Sequence, residues 1–518
     1  MRPTILRSTF RILHSPEWRW VTLAAVAVVL LSCLPFGIAA MTTPADVRFG
    51  GALVNAFDGQ SYLAKMRQGY DGGWLFRLPF TASDEADAFL FTYHIALGHF
   101  ARLTGLSLVT VYHLARAVGG WALLLTVYTV MARVFDTVAD RRRAWGFVAL
   151  TSGLGWLDIN ATDVTIPESN TFFSILANAH FAASMALMLI IFMAVMDGRV
   201  LRAAAASFAL AILQPFAPIV VYASMMVSWM VSWLVKRVGC RLDLRRQVRA
   251  ALVAGLCIAP LMVYFYAVTQ HDPTLRAWSA QNFTPSPSPL EFVAGYGLMG
   301  ALAIPGARLA LKRGRNVDVL LVAWAVTSAL LLYAPFPLQR RFSLGLHIPI
   351  VVLAAMTLST ITVSSRISAM WRRWLPRLAF IVALPTTLFL LIATSTAALH
   401  APDVHLFFSA NEAAAFEWLR ESAPHDSVVL AAPETGLFLP AWADVRVLYG
   451  HPFETVDADA MKLKVEQFFA GENDRADVIR EHGVDYIFFG PRERKLGTPE
   501  SSWQAVFNAG DVAVYRAP

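Results

Sequence analysis

The feature that most constrains this chain is a succession of apolar stretches of about twenty residues, separated by short charged or Pro-containing breaks. Such stretches satisfy their backbone polar groups inside a bilayer as helices. Eleven spans are expected, at 20–41, 108–134, 144–157, 172–197, 201–214, 216–236, 248–269, 290–311, 317–336, 344–363 and 375–396. Gln214-Pro215-Phe216 is read as a hairpin bend within one long apolar run. Composition agrees: 57% of residues are hydrophobic and 15% charged, against about 25% charged in soluble domains. A transmembrane barrel is excluded, because its strands alternate and run only about ten residues.

Charge divides the chain. Residues 397–518 hold ten Lys and Arg against nineteen Asp and Glu, whereas residues 1–396 hold 33 against 17. The basic residues cluster at Arg2 to Arg19, Arg141 to Arg143, Lys236 to Arg249, Lys312 to Arg315 and Arg366 to Arg377. With the N-terminus cytoplasmic, all these clusters fall inside and most loop acids fall outside. The basicity is therefore topology signalling, and no nucleic-acid partner is expected. Residues 1–396 are read as a membrane domain with a long first outer loop, 42–107. Residues 397–518 are read as a soluble extracytoplasmic domain. The first span is read as an uncleaved anchor, since the apolar run continues past Cys33. The segment 88–103, with His94, His99 and Arg102, is expected to be an interfacial helix on the outer leaflet.

In the tail, helical patterns at 410–422 and 457–482 alternate with β-like runs at 427–432, 445–449, 484–490 and 512–516, which reads as a small α/β domain. Two segments follow strands, Tyr449-Gly450-His451-Pro452-Phe453-Glu454-Thr455 and Gly490-Pro491-Arg492-Glu493-Arg494. Both belong at one sheet end, where α/β sites lie. Acceptor recognition and plain turn chemistry are the two readings open for them.

The polar residues with chemical promise sit in the outer loops. Asp58 precedes a helical stretch, Gln60–Gln68, with Tyr62, Leu63 and Met66 on one face. A carboxylate there suits a general base and equally a helix N-cap. Glu168 and Asp163, in the second acidic loop, are candidates for a second base, a metal ligand or an orienting group, with Ser169 or Asn170 capping the next helix. Arg340 and Arg341 sit at the outer boundary, where cations are rare, and match phosphate binding or head-group anchoring, with His347 nearby. Arg116 lies within a span and needs a partner, a phosphate or a carboxylate; His180, also within a span, is an accessory candidate or a helix–helix contact.

A long first outer loop bearing an Asp, interfacial helices, a second acidic loop, a late boundary Arg and an extracytoplasmic C-terminal domain together resemble the GT-C superfamily of integral membrane glycosyltransferases. The resemblance covers the whole chain in architecture. The YGHPFET and FFGPRER segments resemble the C-terminal domain of bacterial members. The WWDYG-type signature of oligosaccharyltransferases does not occur in the tail, and the first loop has a lone Asp58 in place of a tight DxD. The resemblance implies a polytopic α-helical GT-C fold and inverting transfer of a sugar from a polyprenyl-phosphate donor. The acceptor would be a lipid, protein or polysaccharide on the outer side of a bacterial-type inner membrane. It implies Asp58 as catalytic acid/base, Glu168 in the second acidic motif, and Arg340 or Arg341 at the donor phosphate. A divalent ion, Mg or Mn, on Asp58 and Glu168 stays open, because arginines alone neutralise one phosphate. Two rivals remain: a lipid or sugar transporter lined by Gln214, His180 and Arg116, and a non-catalytic assembly factor for envelope polymers.

Overall fold

The computed structural model describes residues 15–83, 87–235, 241–399 and 403–518. Arg2, Arg7 and Arg11, and the start of the basic segment at 236–240, lie outside the described residues. Among the described residues, eight helices are long and apolar enough to cross a membrane. They are Pro16–Thr42, Leu108–Val134, Ala179–Met196, Ala217–Leu234, Leu244–His271, Pro289–Arg313, Gln339–Val363 and Ala369–Ala398. This is a multi-pass membrane protein. Each of the eight coincides with an expected span. The other three expected spans correspond to shorter helices, Val138–Leu150, Val200–Leu213 and Asn316–Leu331. The first of these stops at Thr151, because Gly153 and Gly155 turn the chain tightly against Gly295 and Asp163 instead of continuing the helix. The break at Gln214-Pro215-Phe216 is present between two helices. Extended Asn178 interrupts the span expected at 172–197, and a bend at Leu384-Pro385 divides the last one.

The chain divides into two compact units. Unit 1 holds residues up to Leu34, Leu114–Met262 and Thr284–Ala393. Unit 2 holds Pro35–His113, Val263–Phe283 and Thr394–Pro518. The expected domain boundary at 396/397 lies beside Thr394, but unit 2 also takes in the whole first loop, 42–107, and residues 263–283.

Unit 1 is helical. Gly306 lets helix 289–313 approach the backbone of helix 347–363 so closely that a Cβ there would collide with the Leu353 carbonyl. Thr357 Oγ1 donates to the Leu302 carbonyl at 2.7 Å across the same pair. Trp324 is fully buried against Phe192, with ring centroids 5.0 Å apart. Small residues and backbone-directed hydroxyls are how helices associate where lipid supplies no hydrophobic drive. Leu201, Met226, Trp233, Leu252 and Leu256 stay exposed on span helices, as side chains facing lipid do.

Unit 2 is built on a five-stranded sheet ordered β4-β3-β5-β7-β6. The strands are β3 (Val428–Leu430), β4 (Arg446–Val447), β5 (Tyr486–Phe489), β6 (Gln504–Ala509) and β7 (Val512–Arg516). β3 runs parallel to both β4 and β5, and the β6–β7 hairpin closes the other edge antiparallel. Alternation along β5 feeds two layers. Phe488 meets Phe416 of helix Ala410–Ser422, while Phe489 meets Phe469 of helix Ala458–Ala470. Strand β6 is absent from the sequence expectation, and the single helix expected over 457–482 is two, parted by Gly471 at φ 75°. A separate antiparallel pair joins β1 (Val47–Phe49) of the first loop to β2 (Phe407–Ser409) of the tail. Helix Ala56–Tyr70 packs on helix Thr92–Thr104, which is the helix expected over 88–103. Gly69 lies against the Ile95 backbone and Gly98 against the Met66 carbonyl, leaving no room for a side chain at either glycine.

Candidate functional site

Within unit 2, helix Ala56–Tyr70 begins from Asn55, whose backbone is left-handed at φ 49°. Asp58 is therefore the third residue of the helix and not its N-cap, contrary to the capping expectation. A carboxylate in the first turn is favoured by the free amides and the positive end of the helix dipole. Its side chain is 43% exposed, open to a substrate.

The carboxyl ends of the parallel strands β3, β4 and β5 share one side, so the segments after β4 and β5 leave the same sheet end. The first brings His451 to Asp58, with Nε2 3.8 Å from Asp58 Oδ1. His451 is 1% exposed. Its Nδ1 accepts from the amides of Phe453 and Glu454 at 3.0 and 3.1 Å. The bare nitrogen is therefore Nδ1, and the neutral ring carries its proton on Nε2, facing Asp58. Nε2 has no hydrogen-bond partner within 3.5 Å, and the Phe57 backbone also bears on the ring. Burial lowers the His451 pKa, against the pull of Glu454 and Asp58, so the ring is neutral at pH 7.

Behind the histidine, Glu454 Oε1 accepts from Lys65 Nζ at 2.7 Å and Ser61 Oγ at 2.9 Å. Lys65 is fully buried and also donates to Ser61 Oγ at 2.6 Å. Its ammonium sits 3.9 Å from the centroid of the Phe91 ring. Burial pushes Glu454 up, but Lys65 and His451 outweigh it and hold the carboxyl below its ordinary value. Asp58, Ser61 and Lys65 recur at helical spacing, which puts all three on the face of their helix that meets the 449–455 segment. His451 and Glu454 lie in the 449–455 segment that the sequence singled out for acceptor recognition or turn chemistry, without a catalytic role, and Lys65 was not among the sequence candidates.

The second tail segment does different work. Arg492 pairs with Glu412 at 3.2 Å and donates to the Glu434 and Phe407 carbonyls, while Glu493 accepts the amides of Ala432 and Gly490 at 2.8 Å each. These buried contacts are turn and packing chemistry.

Unit 1 gathers the other candidates. Glu168 is 3% exposed, lies 3.7 Å from Arg341 Nη1, and its carbonyl accepts the Gly345 amide. The backbone of Arg340 is tied to Thr284, and its Nε is buried without a hydrogen-bond partner. Asp163 Oδ2 accepts from Ser152 Oγ and the Gly153 amide at 2.8 Å and from the Gly155 amide at 3.3 Å. Burial raises the Asp163 pKa against these bonds. Its role in the fold is to hold the 151–155 turn. Asn170 caps helix Thr171–Ala177 by accepting the Phe173 amide, as one reading of the loop expected. His347 Nδ1 lies 2.9 Å from Thr171 Oγ1. Arg116 is fully buried and donates to Ile175 O at 2.8 Å, Ser32 Oγ at 3.2 Å and Cys33 Sγ at 3.3 Å. Those bonds engage the guanidinium with groups of the protein itself. His180 is buried at the start of helix Ala179–Met196, edge-on to Phe181. Among the described residues, no three His, Cys, Asp or Glu side chains converge as metal ligands.

No protein family and no curated protein sequence matches the chain. Solved structures do. The Archaeoglobus fulgidus oligosaccharyltransferase, tethered to an acceptor peptide with an NVT sequon, aligns over 92% of this chain and 69% of its own at 14% identity and TM-score 0.50. The mycobacterial arabinofuranosyltransferase AftD aligns over 96% of this chain and 40% of its own at 17% identity and TM-score 0.50. ArnT from Cupriavidus metallidurans aligns over 95% and 98% at 13% identity and TM-score 0.49. The fold shared with the first two is the GT-C fold of membrane glycosyltransferases.

Proposed function

We propose that this protein is an inverting membrane glycosyltransferase that moves a sugar from a polyprenyl-phosphate donor to an acceptor outside the cytoplasm, with Asp58 as general base. The observation that carries the reading is the pairing of Asp58 with His451. An exposed carboxylate stands at a helix start, and a buried imidazole of fixed tautomer places Nε2 3.8 Å from it. Asp58 takes the proton of the acceptor hydroxyl as the acceptor oxygen bonds to the anomeric carbon. The anomeric carbon–oxygen bond breaks with its electron pair leaving on the polyprenyl phosphate. Arg340 is the donor-phosphate ligand in this reading, with Arg341 held ready by Glu168. Glu168 is thereby an orienting group and not a second base. No step runs through a metal. The N-terminus is cytoplasmic and the C-terminal segment extracytoplasmic, as loop charge requires. The acceptor and the sugar are open.

The test is turnover of a panel of radiolabelled polyprenyl-phosphate sugars by purified protein, wild type beside Asp58→Asn. Wild type consumes one donor, and the variant binds it with near-normal affinity without consuming it. Near-normal turnover by the variant overturns the assignment of the base. Transport of a donor across sealed vesicles without glycosidic bond formation overturns the enzyme reading.

A further inference from the structure

Helix Ala369–Ala383 of unit 1 carries its charge at the wrong end. Arg372 and Arg373 lie in its first turns, where the helix dipole is positive and favours anions. Arg377 follows one turn later. These three, with Arg143, Thr362, Ala369 and Pro376, line a cavity of about 430 Å³. None of the lining residues is acidic. The sequence offers no Asp or Glu between Asp318 and Asp403, so helix 369–383 has no carboxylate of its own to answer these charges. Among the described residues, Asp140 is bonded to Arg143, at 2.9 Å, and Arg377 Nη1 reaches only the Arg373 carbonyl. Arg372 Nε is buried without a hydrogen-bond partner. Arg143 has Asp140, but Arg372, Arg373 and Arg377 have no carboxylate partner among the described residues, and an anion in the space between them relieves their mutual repulsion.

We infer that this cavity binds the phosphate of an anionic membrane lipid. Trp371 and Trp374 on the same helix are exposed at 47% and 50%, and amphipathic aromatics of this kind sit at head-group level. Topology signalling needs only cations in a loop. It does not need them lining one open cavity, nor one of them with a buried, unsatisfied N–H. Thr362 is fifteen residues beyond His347 along helix His347–Val363, about 22 Å at 1.5 Å per residue. The cavity is therefore distinct from Arg340, Arg341 and His347, and the inference stands whether or not the transfer reaction is as proposed.

The experiment uses the delipidated full-length protein in neutral detergent. Short-chain phosphatidylglycerol, phosphatidylcholine and inorganic phosphate are titrated separately, following thermal unfolding and lipid retention by native mass spectrometry. Phosphatidylglycerol raises the unfolding temperature and is retained, and phosphatidylcholine does neither. Arg372→Gln/Arg373→Gln weakens that binding by about tenfold or more, the scale of two lost charged hydrogen bonds. Lys312→Gln/Arg313→Gln, which removes exposed cations elsewhere, leaves it unchanged. If the glutamine pair fails to fold, Arg372→Lys/Arg373→Lys keeps the charge, loses the forked geometry and still weakens binding. Equal response to the two lipids overturns the inference, as does equal loss in both paired variants. A response to inorganic phosphate matching that to phosphatidylglycerol moves the site to a soluble phosphate and overturns the lipid assignment.

Discussion

Lys65→Met removes the counter-charge of Glu454 and isolates a carboxylate that is only 13% exposed. Breaking one side of a buried ion pair costs about 3–5 kcal/mol, because the remaining charge is stranded. Ser61 still donates to Glu454 in the variant, so the loss falls near the lower end, about 3 kcal/mol. The loss depends on pH with a definite sign. In the wild type Glu454 titrates below its ordinary value of 4.5, so its stabilisation is present above that pH and is lost as pH falls through the folded value. Without Lys65, burial dominates and the folded value lies above 4.5. The penalty then vanishes below that pH and grows as pH rises through the new folded value. Denaturant titration of detergent-solubilised protein, followed by tryptophan fluorescence at pH 4.5, 6 and 7.5, measures the difference. It is largest at the highest pH and shrinks toward the lowest. The double variant Lys65→Met/Glu454→Met recovers most of the stability, since both charges are gone. A loss below about 1 kcal/mol at every pH would refute the buried-pair reasoning. So would a loss independent of pH, or a double variant no better than the single.

Two further outcomes follow from the same contacts. His451→Ala lowers kcat about tenfold or more with donor KM little changed, because the ring positions Asp58 without touching donor. His451→Gln, which keeps an N–H, restores part of the rate; a kcat unchanged in His451→Ala, or no recovery in His451→Gln, would leave His451 a packing residue. Arg116→Met destabilises unit 1 by about 2–4 kcal/mol by leaving the Ile175 and Ser32 acceptors unpaired, while donor KM in the surviving folded protein stays at the wild-type value. A raised donor KM with unchanged stability would return Arg116 to the phosphate.

The membrane character was legible because span helices answer to local rules. An apolar run of the right length has only one way to satisfy its backbone in lipid, whatever its neighbours do. The three short helices fell below that length; Val200–Leu213 matches its expected extent, whereas Val138–Leu150 and Asn316–Leu331 end before hydropathy does. At 144–157 the run ends early because Gly153 and Gly155 must approach other backbone, a requirement that hydropathy does not register. In the tail, β-like runs marked β3, β4, β5 and β7, whereas β6, with its bulge and exposed side chains, carries little apolar signal.

Asp58 stood out in sequence as an outer-loop carboxylate. Its partners did not, because His451 and Glu454 are almost four hundred residues away and meet it only through the packing of the 449–455 segment on helix 56–70. Whether YGHPFET was chemistry or a turn was undecidable from spacing, and contacts split the two tail motifs in opposite directions. His451 faces a carboxylate, and Arg492 faces backbone. The sequence by itself determined a multi-pass helical chain with a small α/β tail, because hydropathy and charge act locally and additively. Only the tertiary structure decided which polar residues meet, which tautomer His451 holds, and that Arg116 is committed to carbonyls and hydroxyls. Those are properties of distance and burial between segments far apart in the chain, and no local pattern encodes them.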